Sequence, residues 1–258
     1  MKFALFQFPI SQDPTCNYKA IKEAIYEAAN NDAQVLVTQE CALSGYPPVE
    51  IDSVSDIDFA QQDSVFNEII ELVKEKQIYL LLGLIRKRAM KAANSIAVIA
   101  PTGEVQFYDK RALWGWDADN FTVDSDFNGI VDIQGVRIGI RICFEIRFPE
   151  YFRELYKEKV DVVIVSLCDI QCEADDNRRS IIKSHLVSRA IENVVTLISV
   201  NSSTLEQTAP TAVVDQHGKF IVQADRNSKS ITYYDYEKPE EGFGAQGLRK
   251  YSNELLGI

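Results

Sequence analysis

Val136-Arg-Ile-Gly-Ile-Arg-Ile142 places isoleucine at every second position, and Cys143-Phe-Glu-Ile-Arg-Phe-Pro-Glu150 follows without a break. Period-two alternation predicts a strand over Val136–Ile142. Pro149 suits the first turn of a helix, so a helix is expected over Pro149–Tyr156. Cys143 therefore sits between a strand end and a helix start, where α/β proteins commonly carry function and where a turn leaves backbone N–H groups free. Most free cysteines are inert and buried. Position alone leaves that structural reading ahead.

Outward from this stretch, strand and helix patterns alternate along the chain. Strands are expected at Lys2–Phe8, Gln34–Thr38, Ile78–Ile85, Ser95–Ala100, Glu104–Tyr108 and Gly129–Ile133, and later at Asp161–Leu167, Val194–Val200, Thr211–Val214, Lys219–Gln223 and Ser230–Asp235. Helices are expected at Tyr18–Asn30, Phe59–Lys76 and about Asp175–Glu192. Pro101-Thr-Gly103 and Gln134-Gly135 are turn signals that make hairpins of their flanking strands. This mixture of βα units and hairpins implies an α/β protein with a mixed sheet or a pair of sheets. Without a linker, repeat or composition break, residues 1–258 read as one domain.

Composition narrows the function. The chain has 46% hydrophobic and 25% charged residues, ordinary values for a globular protein, and a net charge of −11 spread along its length. That balance opposes nucleic acid and anionic membranes as partners. No stretch is long enough to span a bilayer, and the first residues lack the apolar core and cleavage site of a signal peptide. Five cysteines (16, 41, 143, 168 and 172) read as free thiols in a reducing cytoplasm.

A thiol needs a base or a local positive charge to react. Only two histidines are present: His217 in a turn signal and His185 on a helical stretch. A Cys–His enzyme is one reading. Glu40, after the apolar run Gln34–Thr38, is the stronger base candidate, because partial burial raises a carboxyl pKa toward neutrality. Lys110, after the strand Glu104–Tyr108 and before Trp114 and Trp116, is a candidate for fixed positive charge. Singly, each is more simply a solvated residue; together they point to a nucleophile, a base and a cation. Arg147 is either a carboxylate-binding group or a partner of Glu145 or Glu150, and Tyr46 either lines a pocket mouth or is simply packed.

Three further features suggest other chemistry without supporting it. Gly242-Phe-Gly-Ala-Gln-Gly247 matches a dinucleotide-binding string but has no βαβ unit around it, and reads as a flexible tail turn. Cys168 and Cys172 make a poor metal pair without further ligands. Asp175-Asp176 beside Arg178-Arg179 reads as a solvated helix face.

Three blocks, Thr38-Gln-Glu40-Cys-Ala-Leu-Ser-Gly-Tyr46, Tyr108-Asp-Lys110-Arg-Ala-Leu113 and Ile142-Cys143-Phe-Glu-Ile-Arg-Phe-Pro-Glu150, resemble the nitrilase, or carbon–nitrogen hydrolase, superfamily. Ser188-Arg-Ala-Ile-Glu-Asn193 and Val213-Val-Asp-Gln-His-Gly218 extend the similarity over most of the chain. The resemblance implies a four-layer αββα sandwich with two mixed β-sheets, and a Glu40–Lys110–Cys143 triad with each member at a strand end. It also implies a thioester intermediate, an oxyanion contact from the Phe144 N–H, no metal or organic cofactor, a small linear amide (an omega-amide, of a dicarboxylate if Arg147 is a ligand, or a carbamoyl compound) as substrate, and a homodimer formed through Phe148–Tyr156. The sequence departs from many relatives in lacking a second glutamate after the lysine, where Asp117 is the candidate substitute. A catalytically silent scaffold or sensor and a nitrile hydrolase are the alternative expectations.

Overall fold

The computed structural model describes residues 1–170 and 176–258. Cys172 and Asp175 lie outside the described residues. Among the described residues, twelve strands form two six-stranded mixed sheets. The first sheet contains β1 (Lys2–Gln7), β2 (Val35–Thr38), β3 (Tyr79–Lys87), β4 (Ala92–Ile99), β5 (Val105–Asp109) and β12 (Ser230–Asp235), in the order β12-β1-β2-β3-β4-β5. The second contains β6 (Ile130–Ile133), β7 (Val136–Ile142), β8 (Val162–Ser166), β9 (Thr196–Val200), β10 (Ala212–Val214) and β11 (Phe220–Gln223), in the order β11-β10-β9-β8-β7-β6. Each sheet has a parallel centre, β1-β2-β3 and β7-β8-β9, flanked by antiparallel strands.

Side-chain alternation sorts the layers. On β2, Val35 and Val37 face the second sheet while Leu36 faces outward to helices α1 (Pro14–Asn30) and α2 (Phe59–Lys76). On β7, Ile138, Ile140 and Ile142 meet Phe3, Leu5 and Val37 between the sheets. Burying each such side chain contributes about 1.5–3 kcal/mol before conformational entropy is counted. The opposite side of β7 turns toward a short helix α3's successor in the chain, α4 (Pro149–Lys157), α3 itself being Trp116–Asn120. Phe152 and Leu155 of α4 pack with Ile182 and Leu186 of α5 (Asp176–Asn193). The result is the αββα sandwich.

Several boundaries differ from the sequence expectation. Helix α1 begins at Pro14, ahead of the apolar periodicity, because Asp13 accepts the Thr15 N–H and Pro14 occupies the first turn. Helix α3 was not anticipated; at five residues it is too short to show periodicity. The glycine-rich string at 242–247 is not a tail turn: Gly242 caps α6 (Phe243–Leu256), which buries Ala245 and Ser252. Contacts of Tyr156 with Asn253 and of Arg153 with Ser252 anchor that helix to α4, overriding the low helix propensity of glycine. The apolar surface of α4 is largely spent inside the subunit, with Phe152, Leu155 and Tyr156 all buried. Among the described residues no helix is long and apolar enough to cross a membrane.

Candidate active site

Glu40, Lys110 and Cys143 follow the C-terminal ends of β2, β5 and β7 and converge at one end of the sandwich. Beyond Thr38 the chain must turn across β3. A side chain at Gly83 would put its Cβ 2.1 Å from the Gln39 carbonyl oxygen and 2.7 Å from the Cys41 nitrogen, so only glycine lets this segment pass. Glu40 is thereby held inside, fully buried. Its Oε1 accepts from Lys110 Nζ at 2.9 Å and from Asn94 Nδ2 at 2.8 Å, and its Oε2 accepts the Cys168 N–H at 2.9 Å. The last bond crosses from the first sheet to the loop after β8.

Lys110 bridges two carboxylates, since its Nζ also donates to Asp117 Oδ2 at 2.7 Å. The Tyr46 hydroxyl donates to the other Asp117 oxygen at 2.7 Å, and the Tyr46 ring lies 5.5 Å from Lys110 Nζ. Burial opposes the lysine charge, but Glu40 and the other anionic groups outweigh it and push its pKa well above the ordinary value. Lys110 is thus a fixed cation. Removing either carboxylate from such a pair leaves buried charge uncompensated.

Cys143 opens the 3-10 turn Cys143–Arg147 with φ +44, the left-handed region that a non-glycine residue enters at a cost of about 1 kcal/mol or more. Glu145 fixes this turn by accepting the Ile142 N–H at 2.7 Å. Burial raises the thiol pKa well above its usual range, the negative charge of Glu40 raises it further, and Lys110 lowers it. The resting sulfur is therefore a protonated thiol, which requires a base before it attacks.

A cavity of about 230 Å³ opens on Cys143, with Lys110, Asp117, Tyr46 and Phe144 along its wall. The structure thus brings Tyr46, Asp117 and Phe144 to the same place as Lys110 and Cys143. Arg147 does not itself line the cavity; its guanidinium lies 5.6 Å from the ring of Phe144, which does. Neither histidine lines it. His217 is exposed in its turn; His185 is partly buried on α5, where burial and then Arg189 and Arg147 lower its pKa.

Sequence reading missed Asn94, the Cys168 amide, Asp169 and Arg178. Arg178 was expected on a solvated face but pairs with Asp169 at 2.7 Å and lines the cavity. Local sequence carries no signal for the first two, because one is mid-strand and the other acts through its backbone. Glu50, in the loop after Tyr46, accepts the Tyr46 N–H at 2.9 Å, and burial pushes its carboxyl up to about 7.

Comparison with known proteins bears on the family and the fold. A family model described as carbon-nitrogen hydrolase matches residues 2–239. An (R)-stereoselective amidase from Pseudomonas sp. is 25% identical over 220 residues, covering 83% of this chain and 77% of that one. A 2-oxoglutaramate amidase from Bacillus subtilis is 25% identical over 228 residues, 85% of each chain. An amidase of the nitrilase superfamily from Nesterenkonia sp. AN1, solved as a cysteine-to-alanine variant in complex with butyramide, shares the fold with a TM-score of 0.81 at 22% identity. The match covers 100% of this chain and 96% of that one.

Proposed function

The chain belongs to the carbon–nitrogen hydrolase family and is a hydrolase of non-peptide C–N bonds; from that premise we propose that Cys143 is its nucleophile, Glu40 its base and Lys110 its oxyanion partner. One observation carries the reading: Lys110 Nζ bridges Glu40 and Asp117 beside Cys143, the only cysteine among the described residues that both opens on the cavity and begins a strained turn.

In this reading Glu40 takes the Cys143 proton as sulfur attacks the carbonyl carbon of a small linear amide. Negative charge develops on the carbonyl oxygen, where Lys110 and the Phe144 N–H stabilise it. Glu40 then gives the proton to the departing nitrogen, the C–N bond breaks, and ammonia leaves a thioester. Water, deprotonated by Glu40, attacks the thioester; the C–S bond breaks, and the carboxylic acid and the Cys143 thiol are released. Protons and charge balance without a cofactor. Asp117 holds Lys110 in place through its Oδ2 and takes the part of the second acid. Tyr46 fixes Asp117.

The same proposal includes one domain over residues 1–258, a cytoplasmic location and a homodimer. Four free thiols among the described cysteines support the second. Exposed Phe148, and Phe243, Tyr251 and Leu255 on α6, support the third. Arg147 has no substrate role in it.

The test is ammonia release from short amides together with intact-protein mass spectrometry. Wild type is expected to show an acyl adduct on Cys143 during turnover, and Cys143→Ala neither adduct nor ammonia. Turnover that survives Cys143→Ala would remove the mechanism. Absence of any acylation by amides, carbamoyl compounds or nitriles would leave a silent scaffold.

A further inference from the structure

The cavity is lined by a second thiol, which the hydrolase reading leaves unused. Cys143 and Cys168 both border it. The Cys168 thiol donates to Glu50 Oε1 at 3.6 Å, while Glu50 Oε2 accepts the Tyr46 N–H at 2.9 Å. Burial, and then the charges of Glu50 and Glu40, push the Cys168 thiol well above its usual range, so it too is protonated at rest and needs a base. The Glu50 carboxyl, raised by burial to about 7, is matched to that task near neutrality. Each thiol thus has a carboxylate of its own: Glu40 for Cys143 and Glu50 for Cys168.

The backbone brings the two cysteines together. Strands β7 and β8 are parallel neighbours whose last paired residues are Ile142 and Ser166, so Cys143 and Cys168 stand one and two residues beyond the same rung. Near neighbours on adjacent strands, which lie about 4.8 Å apart, fall inside the roughly 4.4–6.8 Å between Cα atoms that a disulfide spans. The Cys168 N–H that Glu40 Oε2 accepts at 2.9 Å also bonds toward the Cys143 sulfur, whose pKa it lowers. A cysteine sulfur stays within about 4 Å of its own nitrogen in any rotamer. Rotation about χ1 of Cys168 is therefore enough to bring its sulfur within reach of that of Cys143.

We infer that Cys143 and Cys168 form a reversible redox site, in which a hydroperoxide oxidises Cys143 and Cys168 closes on it as a disulfide. The inference rests on the hydrolase reading for the reactivity of Cys143, and goes beyond it in giving Cys168 and Glu50 a task. Cys143 gives its proton to Glu40 and attacks a peroxide oxygen. The O–O bond breaks, sulfur is oxidised by two electrons to a sulfenic acid, and the departing hydroxide or alkoxide takes the proton from Glu40. Cys168 then gives its proton to Glu50 and attacks the Cys143 sulfur. The S–O bond breaks, the S–S bond forms, and hydroxide takes the Glu50 proton and leaves as water. With hydrogen peroxide, two thiols and one peroxide become one disulfide and two waters. The disulfide stops hydrolysis, diverts the sulfenic acid from irreversible sulfinic acid, and is undone by a thiol reductant.

Hydrogen peroxide treatment of the reduced full chain tests it, read by ammonia release from a short amide and by peptide mapping in a mass spectrometer without reductant. Wild type is expected to lose activity, to yield a Cys143–Cys168 cross-linked peptide, and to regain activity with dithiothreitol. Cys168→Ser should take up dimedone on Cys143 during brief exposure and accumulate sulfinic acid there on longer exposure. Its recovery with dithiothreitol should then be about tenfold or more below that of wild type. Each protein is scored against its own activity before peroxide, so a slower variant is still informative, and the wild-type peptide map decides even where the variant does not fold. Glu50→Gln should slow closure of the disulfide and lengthen the time over which dimedone labels Cys143. Sulfinic acid on wild-type Cys143 without the cross-link, a cross-link of Cys168 to Cys41 or Cys172 in its place, or equal recovery of Cys168→Ser overturns the inference, while acylation of Cys143 by amides before peroxide keeps the hydrolase reading. A Cys143 that neither acylates nor oxidises removes both.

Discussion

Glu40 and Glu145 are both fully buried carboxylates, three hydrogen-bonding groups converge on each, and Glu40 is the one we propose as the base. Glu145 accepts from the Tyr108 hydroxyl, the Arg111 N–H and the Ile142 N–H, two of them backbone groups of segments that must meet. Burial raises its pKa, with the Arg141 charge opposing. It holds the Cys143 turn against the end of β5. Glu40 instead meets the Lys110 ammonium, which borders a cavity that also opens on Cys143. Burial and satisfied hydrogen bonds do not distinguish a structural carboxylate from a reactive one. What the partners can exchange does.

The largest expected effect breaks this pair apart. Glu40→Gln should lower kcat by about 10³-fold or more with the fold retained, because the base is lost while the shape remains. Glu145→Gln should keep turnover per folded molecule within about tenfold. Its cost is stability: the amide nitrogen faces an N–H donor of Arg111 or Ile142, leaving a buried group unpaired at about 1–3 kcal/mol. Thermal unfolding followed by circular dichroism, with kcat measured on the same samples, checks both. Equal losses of turnover in the two variants would erase the distinction.

Asp117→Asn sharpens the comparison by removing charge from the second partner of Lys110. A hydrogen bond between charged groups contributes about 2 kcal/mol, so kcat is expected to fall roughly thirtyfold. Tyr46→Phe should fall less, as it loses one neutral donor to Asp117.

Glu50 offers the smallest and most specific effect, through pH. Its carboxyl ionises near 4.5 when exposed in the unfolded chain and near 7 in the folded one. Between those values the folded state holds the extra proton, so stability is greatest below about pH 4.5 with respect to this group and declines as pH rises toward 7. Partial exposure to solvent limits the decline to about 1–2 kcal/mol. Glu50→Gln should flatten the profile over that window. An unchanged slope in urea titrations across the window would show that Glu50 is not the titrating group.

Much of this was legible in the linear chain. The alternation of Val136–Ile142 and the periodicity of Phe59–Lys76 gave those elements their observed bounds, because each buries a regular face. Boundaries failed where a cap or a distant partner decides, as at Pro14 and at Gly242. The three expected site residues converge, and Asp117 joins them. Arg147 is not among the residues that line the cavity; its guanidinium lies over the ring of Phe144, which does.

By itself the sequence determined the order of the strands and of the four longer amphipathic helices α1, α2, α4 and α5, and the placement of Glu40, Lys110 and Cys143 after strands, since both follow from residue periodicity, whereas α3 and α6 did not show in it. Only the tertiary structure decided how their charges are paired: Glu40 with Asn94 and the Cys168 amide, Lys110 with Asp117, and Arg178 with Asp169. Charge interactions depend on distance and on exclusion of water, and both are set by segments that meet only when the two sheets close on each other.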